Sequence, residues 1–231
     1  MKAGNTTYLK PDDIPEIIPV FPLAGALLLP GGQMPLNIFE PRYLAMVDDA
    51  LCHDRLIGMV QPAASCRNEN TSNISLTDAA NCQLCEVGCL GRITAFQETG
   101  DGRYVINLTG VCRYRIQQEI DCRKGYRRFR IAVFGHELDA DDEDAAVDRE
   151  ALLKTFKRYL KANGMEADWD SIRKAGNETL VTALCMMSPY GPAEKQALLE
   201  ADDLKTRAET LIAITEIALA RDSADPGSSL Q

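Results

Sequence analysis

The chain has 231 residues, of which 45% are hydrophobic, enough to form the core of one large domain or two small ones. Its formal net charge of −9 argues against nonspecific binding of the whole molecule to nucleic acid or to anionic membranes. No segment approaches the roughly 20 consecutive apolar residues of a membrane-spanning helix. Residues 1–13 also lack the apolar core of a signal peptide, so we expect a cytoplasmic protein that does not contact membranes.

Proline and glycine interrupt the apolar runs of residues 18–46 so often that one long helix is excluded. This punctuation predicts short extended pieces at residues 17–21, 27–29 and 35–39. A helix is predicted to follow from Pro41 to Cys52, because the fixed φ of proline suits the first position of a helix.

The next part of the chain predicts a loop and then a β-hairpin. Residues 63–81 are polar, rich in Asn and Ser, and lack periodicity, which is typical of an exposed loop. The glycine-containing turn 98–102 separates two predicted strands, 86–97 and 103–119. In the second strand the apolar residues share one parity, so the arginines of the other parity are predicted to face solvent. Gly110 falls on the apolar parity and predicts a bend, and residues 127–134 predict a further strand.

The balance of basic and acidic side chains changes at His136. Up to this residue there are 14 basic and 14 acidic side chains, whereas 11 basic and 20 acidic side chains follow it. We therefore predict a β unit over residues 14–136, an acidic linker over 137–144 and a separate helical unit beyond it.

Apolar side chains recur at helical spacing over residues 145–221, which predicts a helical bundle, and the tail 222–231 is expected to be disordered. Asn163 and Gly164 end the first helix, and a short helix is expected over 169–175. The later helix starts are predicted at Asn177 as a cap, at Pro192, and at Asp202 as a cap. Ile214 and Ile217 widen the apolar stripe of the last helix, which is therefore expected to be buried on two sides.

Several spaced motifs resemble the Lon N-terminal domain, the substrate-binding part of ATP-dependent Lon proteases. The resemblance begins with FPLAGALLLPGGQMPLNIFEPRY at residues 21–43 and continues through segments 54–59, 87–93 and 104–115. Segment 188–196 (SPYGPAEKQ) is similar to the stand-alone bacterial members, which lack the ATPase and protease domains.

This resemblance implies the fold class α+β, with a PUA-like β-barrel that contains one short helix, followed by the helical bundle. It also implies a non-enzymatic binding module that takes polypeptide segments or a protein partner and that serves protein quality control. Catalytic motifs agree with this, because the chain contains neither a G-x-S-x-G elbow nor a G-x-x-x-x-G-K-[ST] phosphate loop. His53 and His136 are the only histidines, and we expect no catalytic residue and no cofactor.

Candidate partner-binding residues lie in the segment that proline and glycine interrupt, residues 18–46. An open sheet edge or groove there would take an extended chain by backbone hydrogen bonds, and exposed apolar side chains would take its side chains. Two purely structural interpretations stay open. Residues 27–29 can form a buried strand, and Glu40 and Arg42 can form a structural pair at a helix start. The candidates are Leu27, Leu28, Met34, Phe39, Glu40, Arg42 and Tyr43.

A basic cluster offers an alternative function. Seven positive charges occur within residues 113–130, and PUA-like barrels include RNA binders. Few aromatic residues interleave with these charges, so a solvated strand face or pairing with the acidic linker 137–144 is an equally open interpretation. The alternative nucleic-acid contacts are Arg113, Arg115, Arg127, Arg128 and Arg130.

The eight cysteines suggest a third function, although a cytoplasmic protein is expected to keep them as reduced thiols. Cys82 and Cys85 form a C-x-x-C pair, with Cys89 four residues on and Cys66 upstream, which is the spacing of a zinc or redox dithiol site. No second pair follows at zinc-finger spacing, so we predict no metal site.

Overall fold

A computed structural model describes residues 1–64, 82–138 and 147–224 of the chain. Most of the predicted polar loop, acidic linker and tail therefore lies outside the described residues. The chain folds into two compact units. The first comprises Met1–Asp141 and Pro189–Leu199, and the second comprises the remainder. The β unit thus begins at Met1 rather than at residue 14, because Ala3 and Tyr8 are buried in its core.

The first unit is built from strands, two single-turn 3-10 helices at Pro11–Asp13 and Gly135–Leu138, and helix α1 (Pro41–Cys52), which is confirmed at both ends. Pro41 is the first residue of α1, and His53 caps its end. The strands are β1 (Lys2–Ala3), β2 (Thr6–Thr7), β3 (Ile17–Pro22), β4 (Gln33–Ile38), β5 (Leu56–Val60), β6 (Val87–Glu98), β7 (Tyr104–Ile120) and β8 (Arg127–Val133).

Strands β7, β6, β5, β3 and β8 form a closed ring, because β8 pairs with β3 on one side and with β7 on the other. The β3–β5 pair is parallel, and the other pairs of the ring are antiparallel. Strand β4 lies outside the ring and pairs with the first part of β7. The predicted barrel and the α+β class are confirmed.

Gly110 divides β7 into two parts. A Cβ atom on Gly110 would lie 2.0 Å from the carbonyl oxygen of Leu29, far closer than any side chain tolerates. The Gly31 N–H donates to the Gly110 carbonyl oxygen (3.0 Å), and the Gly110 N–H donates to the Gly32 carbonyl oxygen (2.9 Å). Residues 29–32 therefore cross β7 in backbone contact with Gly110, which gives the physical reason for the glycine found there.

Two sequence predictions are wrong in this region. Residues 27–29 form no strand; they are an irregular segment whose three leucines are at most 3% exposed. Alternation also fails in β7 beyond Gly110, since a register shift opposite Leu90 and Gly91 inserts Val111 as an extra residue. Val111 and Arg113 are both buried, whereas alternation predicted a solvent-facing Arg113. Arg113 is covered by its contact with Glu137 and by the Leu199 carbonyl oxygen, to which it donates.

The second unit contains α2 (Arg149–Ala162), α3 (Trp169–Lys174), α4 (Asn177–Met187) and α6 (Leu204–Ala224). Two predicted caps are wrong: Gly176 precedes α4, so that Asn177 instead accepts a hydrogen bond from Arg149 (2.8 Å), and Asp203 rather than Asp202 accepts from the first turn of α6. Ile217 is 53% exposed, so α6 is not buried on both sides at this position. No helix among the described residues is both long and apolar enough to cross a bilayer.

Helix α5 (Pro192–Glu200) was expected in the helical bundle, but residues 189–199 belong to the β unit. The side chain of Gln61, which is 2% exposed, explains much of this difference. Its carbonyl oxygen accepts from the Gly25 N–H (3.1 Å), and its amide donates to the Pro192 carbonyl oxygen (3.0 Å).

Three more hydrogen bonds hold this segment to the barrel. Lys195 donates to the Gly25 carbonyl oxygen (2.8 Å), Gln196 donates to the Val87 carbonyl oxygen (3.1 Å), and Arg113 donates to the Leu199 carbonyl oxygen (2.8 Å). We call these bonds and those of Gln61 the polar clasp. Because the bonds are long-range, hydrophobic periodicity could not have revealed them.

Replacing Gly110 by alanine is expected to destabilise the protein by about 3 kcal/mol or more, because the new methyl group collides with backbone that has little room to move. Urea unfolding followed by circular dichroism measures this loss. The control is Gly102→Ala in the hairpin turn, where φ is +82° and the added Cβ atom would meet no other atom within 4 Å. The loss of stability there comes from backbone strain alone and is about 1–2 kcal/mol. Equal losses in the two variants would contradict the close contact at Gly110.

Gln61→Ala is expected to cost about 2 kcal/mol, because the partly buried Gly25 N–H and Pro192 carbonyl oxygen lose a partner. Hydrogen exchange measured by mass spectrometry should show faster exchange in residues 192–199. Gln33→Ala is the matched control, since Gln33 is exposed on β4. Unchanged exchange in residues 192–199 would show that Gln61 does not hold the segment.

Candidate functional site

A three-stranded piece of sheet extends beyond the closed ring. It consists of β4, residues 104–109 of β7 and residues 93–98 of β6, and we call it the extension. Leu36, Ile106 and Phe96 occupy opposite positions on the three strands, so their side chains share one face. This face therefore carries an apolar row across the three strands, in which the middle side chain, Ile106, is buried (1% exposed).

Aromatic side chains of the extension reach solvent. Phe39, between β4 and α1, is 61% exposed, and Phe96 is 39% exposed. The Phe96 and Tyr104 rings contact edge to face, with centroids 5.0 Å apart. On the opposite face Val105 is 39% exposed. Large exposed apolar side chains grouped in this way are typical of a binding surface.

The Tyr104 hydroxyl connects the extension to helix α1. Its hydrogen bond with the Asp48 carboxylate is the main reason that the pKa of Tyr104 is raised. The tyrosine therefore stays neutral near pH 7, and the face that it shares with Phe96 carries no charge from this residue.

Strand β4 is an edge strand, since among the described strands it pairs with β7 alone. The Gly110 N–H donates to the Gly32 carbonyl oxygen, and Pro35 has no N–H to donate to β7. The alternation of an antiparallel ladder therefore directs the backbone groups of Gln33, Pro35 and Asn37 away from β7. All three residues are exposed. Proline is tolerated at such a position because no ladder bond requires its missing N–H.

The structure supports only part of the predicted partner-binding set. Met34 is partly exposed and Phe39 is exposed, so both are accessible to a partner. Leu27 and Leu28 are 3% and 2% exposed, and the prediction that they face a partner is wrong because they fill the core beside Gly110. Tyr43 is likewise buried, with its ring centroid 4.3 Å from that of Phe21.

Glu40 and Arg42 form a structural ion pair, which is the alternative to a role in partner binding. Their charged groups lie 2.9 Å apart at the start of α1. The Arg42 guanidinium also lies over the Tyr43 ring, 4.6 Å from its centroid. Both interactions secure the first turn of α1, next to the exposed Phe39.

Sequence reasoning missed Phe96 and Val105. The signal was present in the length of the predicted hairpin, since β6 and β7 continue past the residues that pair with the ring. The tip of such a hairpin lies beyond the barrel interior, and Phe96 and Val105 remain exposed there, whereas Ile106 is buried.

The five arginines proposed for nucleic acid are mostly paired with carboxylates. Arg113 is 4% exposed and contacts Glu137, whose carboxylate also accepts from the Arg113 backbone N–H (2.6 Å). The two carboxylate oxygens of Glu119 accept from Arg127 at 2.6 and 2.7 Å. Arg115 lies 2.9 Å from Glu86, and Arg130 lies 3.8 Å from Glu16. A phosphate would have to compete with these carboxylates, so no observation favours the RNA alternative.

The cysteine alternative is altered by a correction. Cys82 is disulfide-bonded, so the prediction that every cysteine is a reduced thiol is wrong at this residue. Its sulfur is therefore not a thiolate ligand, whereas Cys85 and Cys89 keep their thiols. Within the described part of the chain, no group of three or more His, Cys, Asp or Glu side chains is arranged to hold a metal ion.

The comparisons with known proteins agree on one family. The family model of the ATP-dependent protease La (LON) substrate-binding domain matches residues 17–216. Lon protease 2 of Myxococcus xanthus is 27% identical over 211 residues, and Lon protease of Parabacteroides distasonis is 30% identical over 213 residues. These matches cover 87% and 88% of this chain, yet only 24% of either relative.

Two solved structures share the fold. The Lon N-terminal domain protein from Xanthomonas campestris is 23% identical, with a TM-score of 0.58 over 85% of this chain and 97% of that chain. The N-terminal domain of Lon protease from the Mycobacterium avium complex is 17% identical, with a TM-score of 0.60 over 87% and 98%.

Proposed function

Since the chain belongs to the family of LON substrate-binding domains, we propose that it binds unfolded polypeptide segments at the extension. The family description supports a substrate-recognition module, and the surface of the extension supplies a place for recognition. The proposal includes no covalent chemistry. It places the protein in cytoplasmic quality control, where chains that expose apolar segments are its ligands.

The exposed aromatic side chains of Phe39 and Phe96 are the observation on which the proposal depends. Both side chains are positioned by neighbouring structure. Phe39 lies just before the start of α1, and the Phe96 ring contacts Tyr104 edge to face. A buried aromatic ring removes about 150–250 Å² from water. One ring at the end of β4 and one on β6, on the far side of β7, therefore offer two contacts for the apolar side chains that an unfolded polypeptide exposes.

The edge of β4 supplies the second half of the interaction. Backbone groups of Gln33 and Asn37 point outward, and a polypeptide in extended conformation can pair with them irrespective of its sequence. The exposed Phe39 and Phe96 rings would then favour segments that carry apolar side chains. Such a combination fits many unfolded sequences and excludes folded proteins, whose apolar segments are buried.

Phe39→Ser and Phe96→Ser are each expected to weaken the binding of an unfolded polypeptide roughly tenfold, because each removes one aromatic contact. The probe is a fluorescently labelled, reduced and carboxymethylated polypeptide, and anisotropy measures its dissociation constant. Leu9→Ser is the matched control, since Leu9 is 67% exposed but lies outside the extension. Normal affinity in both phenylalanine variants would place binding elsewhere, and absence of binding by the unsubstituted chain would end the proposal.

A further inference from the structure

The end of helix α1 and the loop between β7 and β8 meet around one carboxylate. Asp49 accepts two hydrogen bonds from the Lys124 ammonium, at 2.6 and 2.9 Å, and one from the Tyr126 hydroxyl at 2.7 Å. These bonds lower the pKa of Asp49, so the carboxylate stays charged at neutral pH. The loop is thereby held against the last turn of the helix.

Two thiols flank this contact. Cys52 is the last residue of α1 and lies three positions after Asp49, on the same side of the helix. Cys122 lies two residues before Lys124 and four before Tyr126, in the loop that these two residues attach to Asp49. Both sulfur atoms lie within electrostatic range of the Lys124 ammonium. Neither cysteine takes part in a disulfide, and Cys52 is exposed while Cys122 is partly exposed.

Three other cysteines among the described residues, Cys89, Cys112 and Cys185, are buried. Cys112 and Cys185 are completely buried, and burial raises the pKa of each thiol to about 12. Cys89 is buried within β6. Access to solvent and a neighbouring cation together distinguish Cys52 and Cys122 from these thiols.

We infer that Cys52 and Cys122 form a redox-sensitive dithiol, which a hydroperoxide converts into a disulfide between α1 and the β7–β8 loop. The exposed Cys52 sulfur attacks the terminal oxygen of the peroxide, the O–O bond breaks, and the leaving oxygen takes a proton to give an alcohol or water. The Lys124 ammonium stabilises the charge on that oxygen. Cys52 is then a sulfenic acid.

The Cys122 sulfur next attacks the Cys52 sulfur, the S–O bond breaks, and a second water leaves with the Cys122 proton. The two thiols are oxidised by two electrons in total, and the peroxide is reduced by two. The site is distinct from the extension, so this inference does not depend on the proposed polypeptide binding.

The test treats the full chain with a few equivalents of hydrogen peroxide, blocks remaining thiols with N-ethylmaleimide, and analyses non-reduced peptides by mass spectrometry. The expected product is a Cys52 peptide joined to a Cys122 peptide within one chain, two hydrogens lighter than the sum, and separated by dithiothreitol. Cys85→Ser is the matched control and should give the same product. Cys122→Ser should leave Cys52 as a sulfenic acid that dimedone traps.

Lys124→Met should slow the oxidation of Cys52 several-fold, while circular dichroism shows an unchanged fold. The inference is overturned if Cys52 proceeds to sulfinic acid in the unsubstituted chain without joining Cys122. It is equally overturned if both thiols remain alkylatable after peroxide, or if the only link joins two copies of the chain.

Discussion

The close approach of the Leu29 carbonyl to Gly110 divides the long strand β7 between the closed ring and the extension. Beyond Gly110, β7 pairs with β8 and closes the ring, whereas before it β7 pairs with β4 and forms the extension. Both parts depend on one crossing of residues 29–32, which no side chain at position 110 would permit. A rigid barrel and an exposed sheet thus follow from a single close backbone contact.

Inside the barrel, Tyr114 imposes a comparable constraint. Its ring is completely buried, and its hydroxyl donates to the Met59 carbonyl oxygen at 3.3 Å. A Cβ atom on Gly58 or Gly88 would lie 2.6 or 2.5 Å from that hydroxyl oxygen, so the facing strands must carry glycine there. The barrel core is therefore closely packed around this ring, and apolar side chains such as Ile18, Val20 and Leu90 fill the rest of it. Binding is consequently expected at the surface of this unit rather than in its interior.

Local signals predicted the secondary structure well, because proline punctuation and turn glycines act over a few residues. Helix α1 and the β6–β7 hairpin follow from such signals. The burial of Arg113 does not, since it requires the Glu137 carboxylate, 24 positions later, and the Leu199 carbonyl, 86 positions later. The place of α5 in the β unit depends on Gln61, more than 100 positions upstream. Of the predicted contact surface, Phe39 was identified from a motif and Phe96 was missed, because exposure is a property of the assembled sheet.

The first unit therefore joins a closed ring, which supplies rigidity, to an extension that supplies apolar contacts and unpaired backbone groups. Hydrogen exchange of the full chain with and without a saturating unfolded polypeptide tests this arrangement most directly. Slower exchange in residues 33–38 and 93–98, with the ring strands unchanged, is the predicted result. Protection confined to the second unit, with residues 33–38 and 93–98 exchanging as in the free chain, would contradict it.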